Sequence, residues 1–190
     1  ADPRRALGDR RDVDELVARL EFLGDAMPEL GLPTDPTTLV RDALTALASG
    51  LRSLGELRRA DVVGAVQGLL AHRQRVALER EAPTHWTLPS GRRVPLAYER
   101  DRPPSVAARI QEVFGLAATP RLAGGRVAIV LELLAPSGRP MQITDDLASF
   151  WRTTYAQVRA ELRGRYPRHA WPEDPTTAAP TSRAKRRRGP

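Results

Sequence analysis

The sequence predicts an α+β chain: an N-terminal helical bundle, a small domain of two β-hairpins packed with two helices, and a disordered basic tail. Three observations predict it. Apolar residues recur at helical spacing through roughly the first eighty positions. Short apolar runs bounded by Pro-Ser-Gly turns follow. The last fifteen residues have no periodicity and are made of Pro, Thr, Ala and charge. The expected boundaries are therefore 1–80, 81–175 and 176–190.

In the first region Asp12, with Glu15 three residues on, has the spacing of a capping box. Val13, Leu16, Val17, Leu20, Leu23 and Met27 then form one stripe, which Pro28, Gly31 and Pro33 end. A second amphipathic run follows Thr38, with Leu39, Val40, Ala43, Leu44 and Leu47, and stops near Gly50. A third begins at Asp61 and carries Val62, Val63, Val66, Leu69, Leu70 and Ala77. Short one-sided helices bury that side only by packing together, hence a bundle.

The pattern changes at Ala82-Pro83. Trp86-Thr87-Leu88 and Arg93 to Tyr98 flank the turn Pro89-Ser90-Gly91, a β-hairpin pattern with Pro95 on an edge strand. Pro103-Pro104-Ser105 predicts a helix with Val106, Ile110, Val113 and Phe114 on one face, closed by Gly115. Val127 to Leu134 is the most continuous apolar run and predicts the most buried strand, which turns through Pro136-Ser137-Gly138 into Met141 to Thr144. The quartet Pro-Ser-Gly-Arg thus occurs at 89–92 and again at 136–139. A last helix is expected from Thr144 or Asp145, with Leu147, Trp151, Thr154, Val158 and Leu162 inward, ending at Gly164 and Pro167.

Composition narrows the function classes. A hydrophobic fraction of 41% can fill a core, and no run approaches the roughly 18 apolar residues of a membrane span. Cysteine is absent, which removes disulfides, thiol chemistry and cysteine zinc sites. His72, His85 and His169 are too scattered to make a helical ligand pair. With no leader pattern, the expectation is a soluble cytoplasmic monomer with no membrane partner, and Ala1 in place of Met suggests a fragment or a processed chain. Neither G-x-x-x-x-G-K-[ST], G-x-S-x-G nor H-E-x-x-H occurs, so no catalytic residue and no metal site is assigned. Asp145 and Asp146 read as a helix start rather than as metal ligands.

Charge points to binding. The net charge is +7, distributed as −1 over residues 1–80, +3 over 81–175 and +5 over 176–190. Arg152, Arg159 and Arg163, spaced seven and four apart, are expected on one face of the last helix opposite its apolar stripe, with Tyr155 between them. Arg165, Tyr166, Arg168, His169 and Trp171 follow. Guanidinium groups match phosphate oxygens and exposed rings stack on unpaired bases, so this pattern suits single-stranded RNA. The candidate nucleic-acid-binding residues are Arg139, Arg152, Tyr155, Arg159, Arg163, Arg165, Arg168 and His169, with Arg183, Lys185, Arg186, Arg187 and Arg188 of the tail. Trp171 is expected in the core. The competing reading is a protein-docking domain whose Tyr166 to Pro175 segment grips another part of a longer protein or another protein, with no nucleic-acid contact.

The residues also carry a resemblance. Ala82-Pro83-Thr84-His85, Leu88-Pro89-Ser90-Gly91, Phe114-Gly115-Leu116 with Thr119-Pro120-Arg121-Leu122, Leu134 to Pro140 and Thr144 to Leu147 resemble the C-terminal domain of the bacterial HrpB-type ATP-dependent RNA helicases, DEAH/RHA enzymes of superfamily 2. The most specific stretch is Phe150-Trp151, Tyr155, Val158-Arg159 and Arg163 to Pro175; Arg19 to Leu23 and Met27 to Gly31 resemble the region preceding that domain. At Arg168 many relatives have Lys, which preserves the charge. The resemblance implies an accessory segment that contacts RNA or single-stranded nucleic acid and supports helicase motor domains in cis. It implies ATP and Mg2+ only in those motor domains and no cofactor in this segment. The family's Walker lysine, DEAH box and arginine finger have no counterpart here.

Overall fold

A computed structural model of the chain describes residue 7 and residues 9–50 and 53–182. The fold is α+β, with helices first, small sheets next and helices again at the end. It divides into two units, one formed by residues up to Pro83 together with Tyr98–Arg102, the other by Thr84–Ala97 and residues from Pro103 onward. Among the described residues no helix is long and apolar enough to cross a membrane.

The first unit contains α1 (Arg11–Ala26), α2 (Thr37–Ala48), α3 (Leu54–Arg59), α4 (Val62–Leu69) and α5 (His72–Glu81). The stripe on α1 is buried at Val13, Leu16, Val17, Leu20 and Leu23, and meets Val40 and Ala43 of α2, Val62 and Val66 of α4 and Leu78 of α5 in one core. Two local expectations are corrected, and one helix is added. Asp12 does not cap α1; its carboxylate takes both Nε and Nη2 of Arg10, at 2.8 and 2.7 Å, because a guanidinium two residues away outcompetes a backbone amide. The run starting at Asp61 is two helices broken at Leu70-Ala71, since Asp61 caps α4 through the Gly64 amide and the Gln74 side chain caps the start of α5 by accepting from the Ala71 amide. The short α3, capped by Ser53, lacks an apolar period long enough to be read.

Arg19 is the buried cation among the described residues of this unit. From α1 it donates to the Ala82 and Leu78 carbonyls at 2.6 and 3.2 Å and lies 3.3 Å from Glu79, so it closes the C-terminal end of α5 where helix carbonyls lack partners. Tyr98 returns to the same unit after the first hairpin. Its ring packs on Phe22 at 5.4 Å between centroids, and its hydroxyl donates to Pro83 O at 2.7 Å.

The second unit contains three small sheets. β1 (His85–Thr87) pairs antiparallel with β2 (Arg93–Pro95) as expected, with Trp86 opposite Val94. The expected helix after Pro103 is instead β3 (Ser105–Arg109) followed by a 3-10 turn at Ile110–Glu112. The reason is a long-range edge. β3 runs parallel to β6 (Val130–Leu134), with Ser105 opposite Val130 and Arg109 opposite Leu134, and Val106 and Ala108 point inward on a period of two. Local propensity yields to that pairing. β4 (Arg121–Leu122) and β5 (Val127–Ala128) form a third hairpin not anticipated from sequence, and β7 (Pro140–Thr144) pairs antiparallel with β6 to give the order β3-β6-β7.

The two Pro-Ser-Gly-Arg quartets fold alike. In each, the residue before the proline donates to the arginine carbonyl (Leu88 to Arg92 at 2.9 Å, Ala135 to Arg139 at 2.8 Å), and the glycine amide donates back to that residue. Gly91 and Gly138 have φ of 81° and 90°, where a Cβ is strained.

The final helix is likewise two elements, α6 (Leu147–Thr153) and α7 (Tyr155–Arg165), interrupted at Thr154. Asp146 caps α6 through the Ser149 amide, and the Leu147 amide donates to Thr119 Oγ1. The interruption lets Phe150, Trp151 and Tyr155 all turn inward around Phe114, with ring centroids 5.0 to 6.4 Å apart. Residues 171–181, expected in part as free tail, are laid back on this unit: Gly115 N donates to Pro175 O, and Thr181 N to Gln111 O, each at 2.9 Å. The expected disorder of residues 183–190 falls outside the described residues.

Glu112 joins these parts. It is 0% exposed, and its carboxylate accepts from Arg92 Nε and Nη2 at 2.6 and 2.7 Å and from the Arg109 amide at 3.0 Å. Burial alone pushes its carboxyl pKa up, but the Arg92 and Arg109 bonds outweigh burial and hold it below the ordinary value. Two predictions follow from the two units. Glu112→Gln costs about 2–4 kcal/mol in urea unfolding at neutral pH. Because the folded pKa is depressed, the stabilisation is present above the unfolded glutamate value of about 4.3 and is lost as pH falls through the folded value; acidification through that window therefore shifts the urea midpoint less in E112Q than in the wild type. In the helical unit, Tyr98→Phe costs about 1 kcal/mol through the lost Pro83 bond, whereas Tyr98→Ala costs about 2–3 kcal/mol by uncovering Phe22, both read from the loss of helical circular dichroism in urea.

Candidate nucleic-acid interface

The candidate surface is built on α7 and the segment that follows it. Tyr155, Val158 and Leu162 form the buried stripe of α7 and anchor it to the sheet. On a helical projection, Arg159 and Arg163 follow one flank of that stripe and Arg165 borders the other. The arginines therefore flank the apolar stripe instead of opposing it. Arg152 belongs to α6, and the interruption at Thr154 breaks the continuous spacing that placed it in line with them.

Arg152, Arg163, Arg165 and Arg168 are exposed and have no carboxylate partner among the described residues. The Arg165 guanidinium lies over the Tyr166 ring at 5.9 Å, and the His169 ring meets Tyr166 edge-on at 6.1 Å. Tyr166, His169 and Trp171 are each half-buried, and Trp171 Nε1 donates to Tyr166 O at 2.9 Å. The result is a short aromatic step at the C-terminal end of α7 with the Arg165 guanidinium over it, and with Arg163 and Arg168 exposed close by in the chain.

The other candidates are placed differently. Tyr155 is a core residue, 2% exposed, with its hydroxyl donating to Pro172 O at 3.0 Å. It cannot stack on a base, because the aromatic cluster behind α7 needs its ring; burial raises its phenol pKa to about 12. His169 is shifted toward its neutral form, since burial first and Arg109 second hold its imidazole below the ordinary value. Arg139 is paired with Glu161 of α7 at 3.3 Å. Arg159 donates Nε to Trp171 O at 3.0 Å and Nη2 to Glu173 at 3.2 Å. Arg183, Lys185, Arg186, Arg187 and Arg188 lie outside the described residues. Glu173 was missed in the sequence because it is fourteen positions from Arg159, and no periodic pattern links them.

The segment 171–175 spends its polar contacts on its own unit, through Trp171 O, Pro172 O, Glu173 and Pro175 O. The sole lysine is Lys185, and no three carboxylate or imidazole side chains converge among the described residues.

The second unit is a small α+β unit whose last helix ends in exposed arginines beside the Tyr166 and His169 rings. The chain belongs to the ATP-dependent helicase C-terminal family of the HrpB type, which matches residues 43–175. It is 42% identical over 179 residues to the ATP-dependent RNA helicase HrpB of Escherichia coli (strain K12), across 92% of this chain and 22% of that protein. Among solved structures, that of the E. coli DExH-box NTPase HrpB superposes with a TM-score of 0.83 at 41% identity, covering 90% of this chain and 22% of the other. A structure of the E. coli DEAH/RHA helicase HrpB superposes at 0.67 with 40% identity, covering 83% and 20%. The chain thus spans about a fifth of the length of these relatives.

If Tyr155 is structural, Tyr155→Phe lowers stability by about 1 kcal/mol and leaves affinity for an oligonucleotide unchanged. Thermal melting and fluorescence anisotropy on the same sample measure the two.

Proposed function

We propose that this chain is the accessory, non-motor C-terminal segment of an ATP-dependent RNA helicase, and that the end of α7 contacts single-stranded RNA while motor domains elsewhere in the longer protein use ATP and Mg2+. The observation that carries the reading is the presence of four exposed arginines without carboxylate partners among the described residues, one of which, Arg165, lies over the Tyr166–His169 step. Guanidinium groups on phosphates supply affinity without sequence preference, and ring faces favour unpaired bases over duplex. The basic tail, five cations in residues 183–188, adds sequence-independent attraction that salt screens.

A second reading, docking to protein, draws support from β7, a sheet-edge strand on which Ile143 is 64% exposed. Hydrogen exchange separates the two. Protection at 163–169 on adding oligouridylate supports the RNA surface, whereas protection confined to 140–144 on adding the motor domains supports docking.

Replacing Arg163, Arg165 and Arg168 together by Ala weakens binding equally for all single-stranded sequences. It also reduces the slope of log affinity against log salt by roughly 2, at about 0.7 per phosphate contact. Anisotropy titrations at several salt concentrations measure this, and an unchanged slope in a folded variant overturns the RNA reading.

A further inference from the structure

Arg159 differs from its neighbours on α7. It is the arginine of that helix held by a carboxylate in its own strap: Nε donates to Trp171 O at 3.0 Å and Nη2 reaches Glu173 Oε1 at 3.2 Å. Its side chain is 24% exposed, against 89% for Glu173. The backbone around Glu173 is pinned on both sides without help from its carboxylate. Pro172 O accepts from the Tyr155 hydroxyl at 3.0 Å, and Pro175 O accepts from the Gly115 amide at 2.9 Å. Asp174 closes the turn beyond by accepting from the Thr176 amide and hydroxyl at 2.8 and 2.6 Å.

Resting on the nucleic-acid reading above, we propose that Glu173 is an intramolecular competitor that occupies the phosphate position of Arg159 and is displaced by the RNA backbone. The guanidinium is pre-oriented by Trp171 O, so its Nη edge presents a fixed fork to whichever anion is stronger. An exposed single carboxylate is a weak ligand, and its side chain swings away on a fast rotameric timescale without moving the pinned strap. A phosphodiester running along the Arg159–Arg163 flank of α7 brings a neighbouring phosphate to Arg163 at the same time, which a lone carboxylate cannot match. The exchange makes Arg159 available to a multivalent polyanion and leaves it closed to isolated anions.

The test is anisotropy of fluorescein-labelled oligouridylate on the full 190-residue chain. E173Q is expected to tighten binding about two- to five-fold, the range an exposed ion pair allows. D145N removes one exposed negative charge of the same unit and measures the general field; it should give a smaller gain. In R159A/E173Q the gain over R159A should vanish. A gain in E173Q no larger than in D145N, or one that persists without Arg159, overturns the proposal. If R159A fails to fold by thermal melting, the arginine Nε–H signals in NMR decide instead: Arg159's must move on adding oligouridylate and in the same direction in E173Q, and an unmoved signal overturns it. Loss of salt-dependent binding in the Arg163, Arg165 and Arg168 variant together with a neutral E173Q defeats this proposal alone, whereas equal binding by that variant defeats the nucleic-acid reading itself.

Discussion

A carboxylate sealed into an apolar interior organises the second unit. Glu112 sits at the end of β3, where the chain leaves the sheet in a 3-10 turn, and its charge is affordable only if donors reach it. Arg92 supplies two of them from the first Pro-Ser-Gly-Arg turn, and the Arg109 amide supplies a third. The hairpin of β1 and β2, the end of β3 and the turn into Val113 and Phe114 are thereby held in one register. Phe114 in turn receives Trp151 and Tyr155, so the placement of α6 and α7 depends on the same ion pair.

This dependence separates scaffold from surface on α7. The inward side is tied down twice: Tyr155 through its ring to Phe114 and through its hydroxyl to Pro172, and Leu162 in the core. The outward side is left to charge and solvent. Residues 171–181 return over the same unit and add anchors at Gly115 and Gln111, which keeps the Tyr166 to Trp171 stretch in a fixed place beside the arginines. On the proposed reading, a surface carried on a rigid support loses little entropy on binding.

Much of the helical unit was legible because its information is local. The α1 stripe and the Val40, Ala43 and Leu44 face repeat at helical spacing, and that repeat is sufficient to place them inward. The first hairpin was legible through its turn, whose glycine and proline dictate backbone geometry within four residues. The stretch Ser105–Arg109 was not, because Ser-Val-Ala-Ala-Arg fits either period and the partner that decides between them, β6, lies about twenty-five residues further on. Tyr98 was equally hidden: it stands inside a strand-like run, yet its ring belongs with Phe22 of the helical unit.

For the candidate surface, the sequence by itself determined the inventory: arginine and aromatic side chains crowded between 152 and 171, no catalytic motif, and a chain long enough to fold a core. Only the tertiary structure decided which of them face outward. Tyr155 went to the core, Arg139 to Glu161 and Arg159 to Trp171 and Glu173, while Arg152, Arg163, Arg165 and Arg168 stayed free of carboxylate partners among the described residues. The physical reason is that spacing specifies direction only within one unbroken helix. The interruption at Thr154 and the strap that folds back over α7 are set by contacts between residues distant in the chain, which local periodicity does not encode.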